Sequence, residues 1–304
     1  MDQPKVSIIT LNWNGLEDTR ECLESLKKVT YPNHEVIVVD NCSEGNDAQI
    51  LEEEFGDYVR VIRNEKNYGF GEGCNTGIRY VLKRSHPKYI LLINNDVVVQ
   101  PDFLDELVKV GEDDPQAGIV GPKIYYYDYD GRNDVIWSAG GKVRWWALRI
   151  NPQIGDTDDD TAKYQATTSV DWMTGAVMMF RTCLTEEVGL LDPRYFIGHE
   201  DIDYCLKVRK RGYKVVYVPG ARAWHKVGAS AKKAHISYAN PSNDYYLIKQ
   251  NFPSYVYVYH LLLLPLILCR WALLFLVKHR NRHTLRRFLS DFAMFVFHRH
   301  RMGP

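Results

Sequence analysis

The sequence predicts an α/β protein built on a mainly parallel β-sheet that is covered by helices on both faces. Three observations lead to this fold class. From Lys5 onward, short apolar runs alternate with amphipathic stretches of about ten to fourteen residues, as in βαβ units. The apolar runs are nearly uninterrupted, as expected of parallel strands buried on both faces. Three of these runs end in short polar residues, which is where ligands bind in such sheets.

The first half of the chain predicts seven elements. "KVSIITLN" is rich in β-branched residues and is predicted as the first strand, ending in a turn at 12–15. Residues 16–28 place Leu16, Cys22, Leu23 and Leu26 among charged residues, which favours an amphipathic helix. The elements predicted next are the strand "HEVIVVDN", the helix "NDAQILEEEF" with Asn46 as its N-cap, the strand "YVRVIRN", a helix over 71–84 and the strand "KYILLIN".

After residue 118 the alternation becomes irregular. Residues 125–150 are rich in Tyr, Trp and Gly, and "GDTDDD" (155–160) is predicted as a solvated loop. "SVDWMTGAVMMF" is predicted as one buried strand, and "YKVVYVP" (213–219) as a strand stopped by Pro219–Gly220. A helix beginning near residue 200 would place Glu200 and Asp201 in its first turn, where the helix dipole favours carboxylates.

Composition and charge indicate a globular, acidic body over residues 1–250 and a basic tail over residues 251–304. The chain is 45% hydrophobic and 25% charged, and its net charge is zero. Residues 251–304 carry eight Lys or Arg against one acid, whereas residues 1–250 carry 30 basic against 37 acidic residues. This asymmetry indicates an anionic surface as a partner for the tail. The six cysteines form no CxxC pair, and "MDQPKVSIIT" has no signal-peptide pattern, so we expect the main domain in a reducing cytosol.

The tail predicts membrane attachment. From residue 255 to residue 277 only His260 and Arg270 interrupt an apolar stretch that is long enough to span a bilayer. A single span would put the basic residues of 278–287 on the far side, against the positive-inside rule, so we favour a re-entrant or interfacial hairpin. Residues 285–296 then form an amphipathic helix suited to anionic lipid. The alternative is a helical subdomain that packs on the core or in a dimer.

One glycine-rich segment is not a dinucleotide fingerprint. "NYGFGEGCNTG" (67–77) has Cys74 at the third glycine position, and it opens the third βα unit instead of the first. Carboxylates, asparagines and a histidine instead recur where strands end: at Asn12, at Asp40–Asn41 and at Asn94–Asp96, with Glu200, Asp201 and His225 later in the chain. This combination favours a polar ligand site at the carboxyl edge of the sheet.

The chain resembles the family 2 glycosyltransferases, in particular their rhamnosyltransferase-like branch. The resemblance runs from Val6 to about Ser230 and rests on six motifs in family order. They are "VSIITLNWNG", "VIVVDNCS", "NYGFGEGCNTG", "LLINNDVVV", "WMTGAVMMFR" and "LLDPRYFIGHEDIDYCLKVRKRGYKVVYVPGARAWH". It implies a GT-A fold, a sugar-nucleotide donor and a divalent metal. We therefore expect a GT-A domain over residues 1–250, followed by the membrane-associating hairpin that hydropathy and charge predict over 251–304.

The resemblance also implies roles for individual residues in donor binding. Asp40 is similar to the carboxylate that holds the nucleotide, since an acceptor-only side chain suits a base N–H or a ribose hydroxyl. The other residues that the resemblance places in the donor site are Thr10, Asn12, Asn14, Asn67, Gly69, Asn75, Asn95, Trp172 and Gly175. Trp172 and Gly175 would face the donor sugar and the acceptor, with a place in the core as the alternative for Trp172.

The metal and the base are implied in the same way. Asp96 matches the last position of the family's Asp-x-Asp motif, which holds Mg²⁺ or Mn²⁺ on the diphosphate, and His225 resembles the second protein ligand. Asn94 stands where the first Asp of the motif would be, so the choice of metal stays open. Asp201 resembles the catalytic base, and its neighbour Glu200 is the alternative.

The resemblance therefore predicts an inverting, metal-dependent transfer of a sugar at the cytosolic face of a membrane. The donor would be dTDP-rhamnose or a UDP-sugar, and the acceptor a lipid-linked glycan or polysaccharide. We expect no nucleic-acid partner, and a homo-oligomer is one option for the assembly. Two other classes stay open: a sugar nucleotidyltransferase, for which an early basic Gly-rich loop is missing, and a non-catalytic membrane scaffold.

Overall fold

The computed structural model describes residues 3–147, 152–227 and 241–273. The chain divides into two compact units. The first consists of Met1–Lys142 and Gln153–Ile236, and the second of Val143–Pro152 and Ser237–Pro304. The predicted domain boundary at residue 250 therefore falls inside a helix of the second unit, and a short segment between residues 143 and 152 belongs with the C-terminal helices.

The first half of unit one has the predicted alternation of strands and helices. Its elements are β1 (Val6–Asn12), α1 (Leu16–Leu26), β2 (His34–Asp40), α2 (Asp47–Phe55), β3 (Val59–Arg63), α3 (Gly69–Arg84) and β4 (Tyr89–Asn94). The four strands are parallel and stand in the order β3-β2-β1-β4. Asn46 is at the N-cap of α2, but its side chain makes no capping hydrogen bond.

The second half is mixed, so a mainly parallel sheet was the wrong prediction there. Its elements are β5 (Val97–Val99), α4 (Phe103–Asp113), β6 (Ala117–Tyr126), β7 (Val135–Ser138), β8 (Asp158–Asp159), β9 (Thr168–Val170), β10 (Val177–Arg181), α5 (Leu184–Glu187), α6 (Glu200–Lys210) and β11 (Lys214–His225). The sheet continues as β4-β10-β6-β11-β5. β10 enters between β4 and β6 and is antiparallel to both, because it follows a loop at the carboxyl edge instead of a crossover helix.

Two strand predictions differ in detail from the structure. "SVDWMTGAVMMF" forms two strands, β9 and β10, because Asp171 and Trp172 leave the sheet to exchange backbone hydrogen bonds with Gly141. β11 is not stopped at Pro219–Gly220 but runs on to His225. Since proline has no N–H to donate, the pairing with β6 is irregular between Val218 and Arg222 and then resumes. That continuation places His225 opposite Tyr126, the last residue of β6, and opposite Val97, the first residue of β5.

The core explains why the strand sequences are so apolar. Ile8 of β1 and Leu91 of β4 are fully buried under α1, which contributes Leu23 and Leu26. Each such side chain contributes about 1.5–3 kcal/mol through burial. The register then sets the position of the site: Asn12 lies opposite Asp40, and Leu11 lies opposite Asn94. The polar ends of β1, β2 and β4 therefore meet at one edge, as predicted.

Among the residues that the structure describes, the second unit has two helices, α7 (Pro241–Asn251) and α8 (Ser254–Leu273). Helix α8 covers most of the apolar stretch predicted over 255–277. Within the described part of the chain, no helix has both the length and the apolar character needed to cross a bilayer. The predicted return of the hairpin and the predicted amphipathic helix over 285–296 lie outside the described residues.

Candidate active site

A chain of buried hydrogen bonds joins the ends of three strands. The amide of Asn12 donates to Asp40 Oδ1 at 2.8 Å, and its oxygen accepts from the Thr19 hydroxyl at 2.7 Å. Asn95 in turn donates to Thr19 Oγ1 at 2.9 Å. All four side chains are buried, and none of these partners could be lost without leaving a desolvated polar group. The residue that comes after Asn95, Asp96, is thereby fixed relative to Asp40.

Asp40 and Asn14 lie on the side of this edge formed by β1 and β2. Ser43 donates both its N–H and its hydroxyl to the Asp40 carboxylate, at 3.1 and 2.6 Å. The Asn14 N–H donates to Ser43 Oγ at 2.9 Å, and the Asn14 side chain accepts from the Glu44 N–H at 2.8 Å. Asn14 has a φ of 50°, which asparagine tolerates better than most residues. The loops after β1 and β2 are thus held together around Asp40.

Asn67 and Gly69 form the entrance to helix α3. The Asn67 side chain accepts from the Gly69 N–H at 2.8 Å and from the Asn41 amide at 2.9 Å. Gly69 has a φ of 78°, and a Cβ there would lie 2.2 Å from the carbonyl oxygen of Phe196. Glycine is therefore required by both conformation and space. This contact brings the segment before α6 against the start of α3.

Asn75 has its side chain engaged by protein. It donates to the Leu191 carbonyl at 2.8 Å and accepts from the Leu191 N–H at 3.1 Å, and it is buried. These reciprocal bonds resemble a strand pair and fix the loop that leads into α6. Asn95 is likewise directed toward Thr19 on α1. For both residues, contact with a nucleotide stays a prediction, while their contacts in the structure position neighbouring loops.

Asp96 and His225 form the pair predicted to hold a metal. His225 Nε2 lies 3.0 Å from Asp96 Oδ1, and both side chains are nearly buried. Burial acts to raise the pKa of Asp96, but the His225 ring, a backbone hydrogen bond and the charge of Lys226 together keep it below the ordinary value. His225 Nδ1 is also buried and has no hydrogen-bond partner among the described residues. The ring packs edge-on against Trp137, with 4.3 Å between centroids.

The pair fits a divalent cation bound mainly through phosphates. Adjacent ligands at about 2.1 Å from an octahedral ion lie about 3.0 Å apart, which matches the separation of the two atoms. The described residues contain no group of three or more His, Cys, Asp or Glu that could bind a metal by themselves. A bound diphosphate would therefore have to complete the coordination shell.

Asp201 and Gly175 are joined by a hydrogen bond. The Gly175 N–H donates to Asp201 Oδ2 at 2.7 Å, and the Ile202 N–H donates to Asp201 Oδ1 at 2.8 Å. Burial raises the pKa of Asp201 above its ordinary value, although these two N–H groups act in the opposite direction. Asp201 is half-buried at the first turn of α6, so its carboxylate is oriented and still partly accessible. A fixed orientation and a retained basicity are the properties of a general base.

Glu200 faces elsewhere. Its Cβ and Cγ lie 3.5 Å from the position that a Cβ on Gly71 would occupy, so the side chain packs against helix α3. It is buried, and its Oε2 has no hydrogen-bond partner among the described residues. Burial, followed by the charge of Asp201, raises the pKa of Glu200 well above its ordinary value. The two neighbours, which the sequence leaves as alternatives, therefore have different surroundings.

The residue predicted to be the base and those predicted to bind the metal are linked through β10. The Asn94 N–H donates to the Ala176 carbonyl at 2.9 Å, and Ala176 follows Gly175, the residue that binds Asp201. Asp96 is two residues beyond Asn94, directly before β5. The antiparallel insertion of β10 thus joins Asp201 to the edge that holds Asp96, which the sequence pattern did not predict.

Thr10 and Trp172 are buried in the protein. Thr10 lies in the middle of the sheet opposite Val38 and Ile93, and its hydroxyl has no partner among the described residues. The Trp172 ring packs on Gly141, where a Cβ would lie 1.9 Å from it, and its indole N–H donates to the Lys142 carbonyl at 3.4 Å. Contact of either residue with the donor stays a prediction.

Two residues of this edge were missed by sequence reasoning. They are Thr19 and Ser43. Ser43 stands close to Asp40 in the quoted "VIVVDNCS", which was the available signal. Thr19 lies on the amphipathic helix α1, where a single buried hydroxyl leaves no signal in the apolar pattern.

Lys207 has a positioning role near the predicted base. It pairs with the buried Asp203 at 2.6 Å and lies 3.8 Å from Asp192. Because Asp203 belongs to α6 and Asp192 to the loop before it, Lys207 holds the helix against that loop.

Comparison with known proteins places this geometry in context. The sequence profile described as "Glycosyltransferase like family 2" matches residues 4–239. The uncharacterized protein y4gI of Sinorhizobium fredii is 30% identical over 236 residues, which is 75% of this chain and 25% of y4gI. The N-acetylglucosaminyl-diphospho-decaprenol L-rhamnosyltransferase of Mycobacterium tuberculosis (strain H37Rv) is 25% identical over 252 residues, which is 78% of each protein. The chain spans less than two thirds of the length of several curated relatives that it matches.

The fold is shared with a solved glycosyltransferase structure. The crystal structure of GalNAc-T7 with UDP, GalNAc and Mn²⁺ aligns with a TM-score of 0.61 and 19% identity, covering 74% of this chain and 44% of that one. At this identity the likeness supports the fold alone. The family profile, by contrast, covers well over half of the sequence and includes every residue of the edge described above. The chain therefore belongs to glycosyltransferase-like family 2.

Proposed function

We propose that this chain transfers a sugar from a nucleoside-diphosphate sugar to a lipid-linked glycan or polysaccharide acceptor, with inversion at the anomeric carbon. Family membership supports the reaction class. The observation that carries the proposal is the fixed Asp201 carboxylate, joined through Gly175 and β10 to the edge that holds the Asp96–His225 pair. Such a transfer requires a base and a diphosphate site at one sheet edge.

Asp201 would act as the base. Attack by an acceptor hydroxyl on the side opposite the departing diphosphate requires a group that accepts the hydroxyl proton. The two backbone N–H groups hold the Asp201 carboxylate in one orientation and leave some of its lone pairs free. Its raised pKa makes it a stronger acceptor than an ordinary aspartate. Glu200 is less suited, because it is buried against α3 and its raised pKa favours the neutral form.

Asp96 and His225 would hold Mg²⁺ or Mn²⁺ together with the diphosphate of the donor. The cation supplies stabilisation of the negative charge that develops on the departing nucleoside diphosphate. The chain itself contributes one carboxylate and one imidazole at the spacing of neighbouring ligands. Asn94 replaces a second carboxylate, so the protein brings one negative charge less and depends more on the phosphates for affinity.

Asp40, Asn12 and Asn14 would bind the nucleoside part of the donor. Asp40 still has acceptor capacity beyond its bonds to Asn12 and Ser43 and can receive a base N–H or a ribose hydroxyl. Asn67 and Gly69 would close this pocket from the start of α3. The donor we propose is dTDP-rhamnose or a UDP-sugar, which is supported by the name of the mycobacterial relative and by the UDP in the GalNAc-T7 structure.

The acceptor and the location belong to the same proposal. The mycobacterial relative is named for a decaprenol-linked acceptor, and the tail of this chain is apolar and basic. We therefore propose that the enzyme works at the cytoplasmic face of an anionic membrane on a lipid-linked glycan. A soluble polysaccharide acceptor would leave the composition of the tail without a role.

The first test is a binding panel by calorimetry and thermal shift. It compares dTDP, UDP, GDP and NAD, each with and without Mn²⁺, on the wild type and on Asp96→Ala, with Asp57→Ala as an exposed control. We expect one nucleoside diphosphate to bind in a Mn²⁺-dependent manner, and this binding to be lost only in Asp96→Ala. A folded protein that binds none of the diphosphates would contradict the proposal and favour a scaffold. Turnover of a nucleoside triphosphate with a sugar phosphate would instead indicate a nucleotidyltransferase.

A further inference from the structure

A short segment of the second unit carries two adjacent tryptophans. Trp145 and Trp146 pack on the first turns of α8. The Tyr259 hydroxyl donates to the Trp146 carbonyl at 3.0 Å, and His260 Nε2 contacts the Trp145 carbonyl. The Trp145 ring meets the rings of Tyr255 and Tyr259 edge-on, with 6.3 and 6.1 Å between centroids. The segment is therefore tied to the helix through its backbone and the Trp145 ring, while the Trp146 side chain is 56% exposed.

Helix α8 presents an apolar stripe on one face. Tyr255, Val258, Leu262 and Leu266 are spaced by three, four and four residues, so they lie on the same side of the helix. Their exposed fractions are 65%, 52%, 75% and 61%, and that of Trp146 is 56%. Val256 and His260, on the opposite side, are buried. A contiguous exposed surface of this kind marks an interaction site.

The residue types indicate which partner the surface fits. Trp and Tyr combine an apolar body with a polar edge, and they concentrate where a membrane meets water. In the sequence, α8 is followed at 278–287 by Lys278, Arg280, Arg282, Arg286 and Arg287, with no acidic residue among them. Such a basic cluster complements anionic lipid headgroups. A surface that docks a neutral protein face would gain nothing from this charge.

We propose that Trp145, Trp146 and Tyr255 form an aromatic edge that inserts into the headgroup region of an anionic bilayer, with the apolar stripe of α8 lying along it. The proposal rests on the membrane location in the proposed function and adds the groups that make the contact.

The test measures binding of the full chain to vesicles by flotation. Vesicles of phosphatidylcholine with phosphatidylglycerol are compared with pure phosphatidylcholine, and the double variant Trp146→Ser/Tyr255→Ser with the wild type. We expect the anionic vesicles to bind wild type and the double variant to bind about ten-fold more weakly. Tyr129→Ser is the matched control, since Tyr129 is an exposed aromatic residue of the first unit. Bromine-labelled lipids should quench the wild type more than Trp146→Phe.

Two results would overturn the proposal. One is unchanged vesicle binding by the double variant. The other is a shift of its monomer–dimer equilibrium in analytical ultracentrifugation without any loss of lipid binding, which would assign the stripe to a second copy of the chain. Binding of UDP or dTDP without vesicles is measured in parallel and should be unchanged in the double variant. Failure of donor binding in the wild type would count against the proposed function and leave the vesicle result standing.

Discussion

At the scale of single residues, Asp201 and Glu200 show how one turn of helix separates two carboxylates. Consecutive residues on a helix point about 100° apart, so neighbours in sequence reach different surroundings. Asp201 meets the Gly175 N–H, whereas Glu200 packs beside Gly71 on α3. This divergence gives each carboxylate its own testable consequence.

Asp201→Asn should abolish most of the turnover while nucleotide binding persists. The amide keeps the size of the side chain but cannot accept the proton, and loss of a general base costs about 10²–10⁴-fold in rate. In the wild type the rate should rise with pH as Asp201 ionises. Because the pKa of Asp201 is raised, this rise in the pH–rate profile should occur at a higher pH than for an ordinary aspartate. Steady-state kinetics with calorimetric binding of the nucleotide checks both points. Near-normal turnover in the variant would refute the assignment.

Glu200→Gln should stabilise the fold at neutral pH and have little effect at acid pH. The pKa of Glu200 is raised in the folded protein, so the folded state binds the proton more tightly than the unfolded chain does. Stability is then lost as the pH rises from the unfolded-state pKa toward the folded-state pKa, at about 1.4 kcal/mol for each unit between them. The variant removes this loss. Thermal unfolding across pH 4–8 measures it, and parallel curves for both proteins would contradict the explanation.

At the scale of elements, the start of α3 and the loop before α6 form a seam that positions Asp201, the proposed base. Asn75 exchanges two hydrogen bonds with Leu191, and the Phe70 N–H donates to the Phe196 carbonyl at 2.8 Å. At the end of the loop, Gly198 and His199 have left-handed backbones with φ of 83° and 79°. For a non-glycine residue such as His199, this conformation costs about 1–3 kcal/mol and persists only when its surroundings enforce it.

Gly69→Ala should loosen this seam, and Gly189→Ala provides a matched control. Both glycines have positive φ, at 78° and 87°, so each alanine incurs a similar backbone cost of about 1–2 kcal/mol. Only at Gly69 would the new Cβ meet another group, 2.2 Å from the Phe196 carbonyl, whereas Gly189 has nothing within 4 Å. In urea unfolding, we expect Gly69→Ala to lose more unfolding free energy than Gly189→Ala. Only Gly69→Ala should also have a lower kcat. Equal losses in the two variants would show that the contact does not matter.

At the scale of the whole molecule, the sequence predicts best the features that arise from local pattern. The parallel half and its polar edge were predictable, because strand ends in a parallel sheet converge whatever the loops do. The insertion of β10, which places Gly175 beside Asp201, was not predictable from the sequence, because strand order depends on pairings between distant segments. The engagement of Asn75 by Leu191, 116 residues away, was hidden for the same reason. The association of residues 143–152 with the C-terminal helices left no signal in composition.

The division into two units predicts how the full chain unfolds when the donor nucleotide binds. Every candidate donor residue lies in the first unit, which has its own sheet and core, while the second has a separate set of buried residues on α7 and α8. A ligand stabilises only the unit that binds it, by about 2.7 kcal/mol at a concentration 100-fold above its Kd. For a unit of this size, each kcal/mol of added stability raises the Tm by about 2–4 °C. Differential scanning calorimetry with Mn²⁺ and the bound nucleotide should therefore move one transition upward and leave a second, smaller one unchanged. A single transition that moves as a whole would mean that the two units unfold cooperatively and that binding of the donor nucleotide stabilises both.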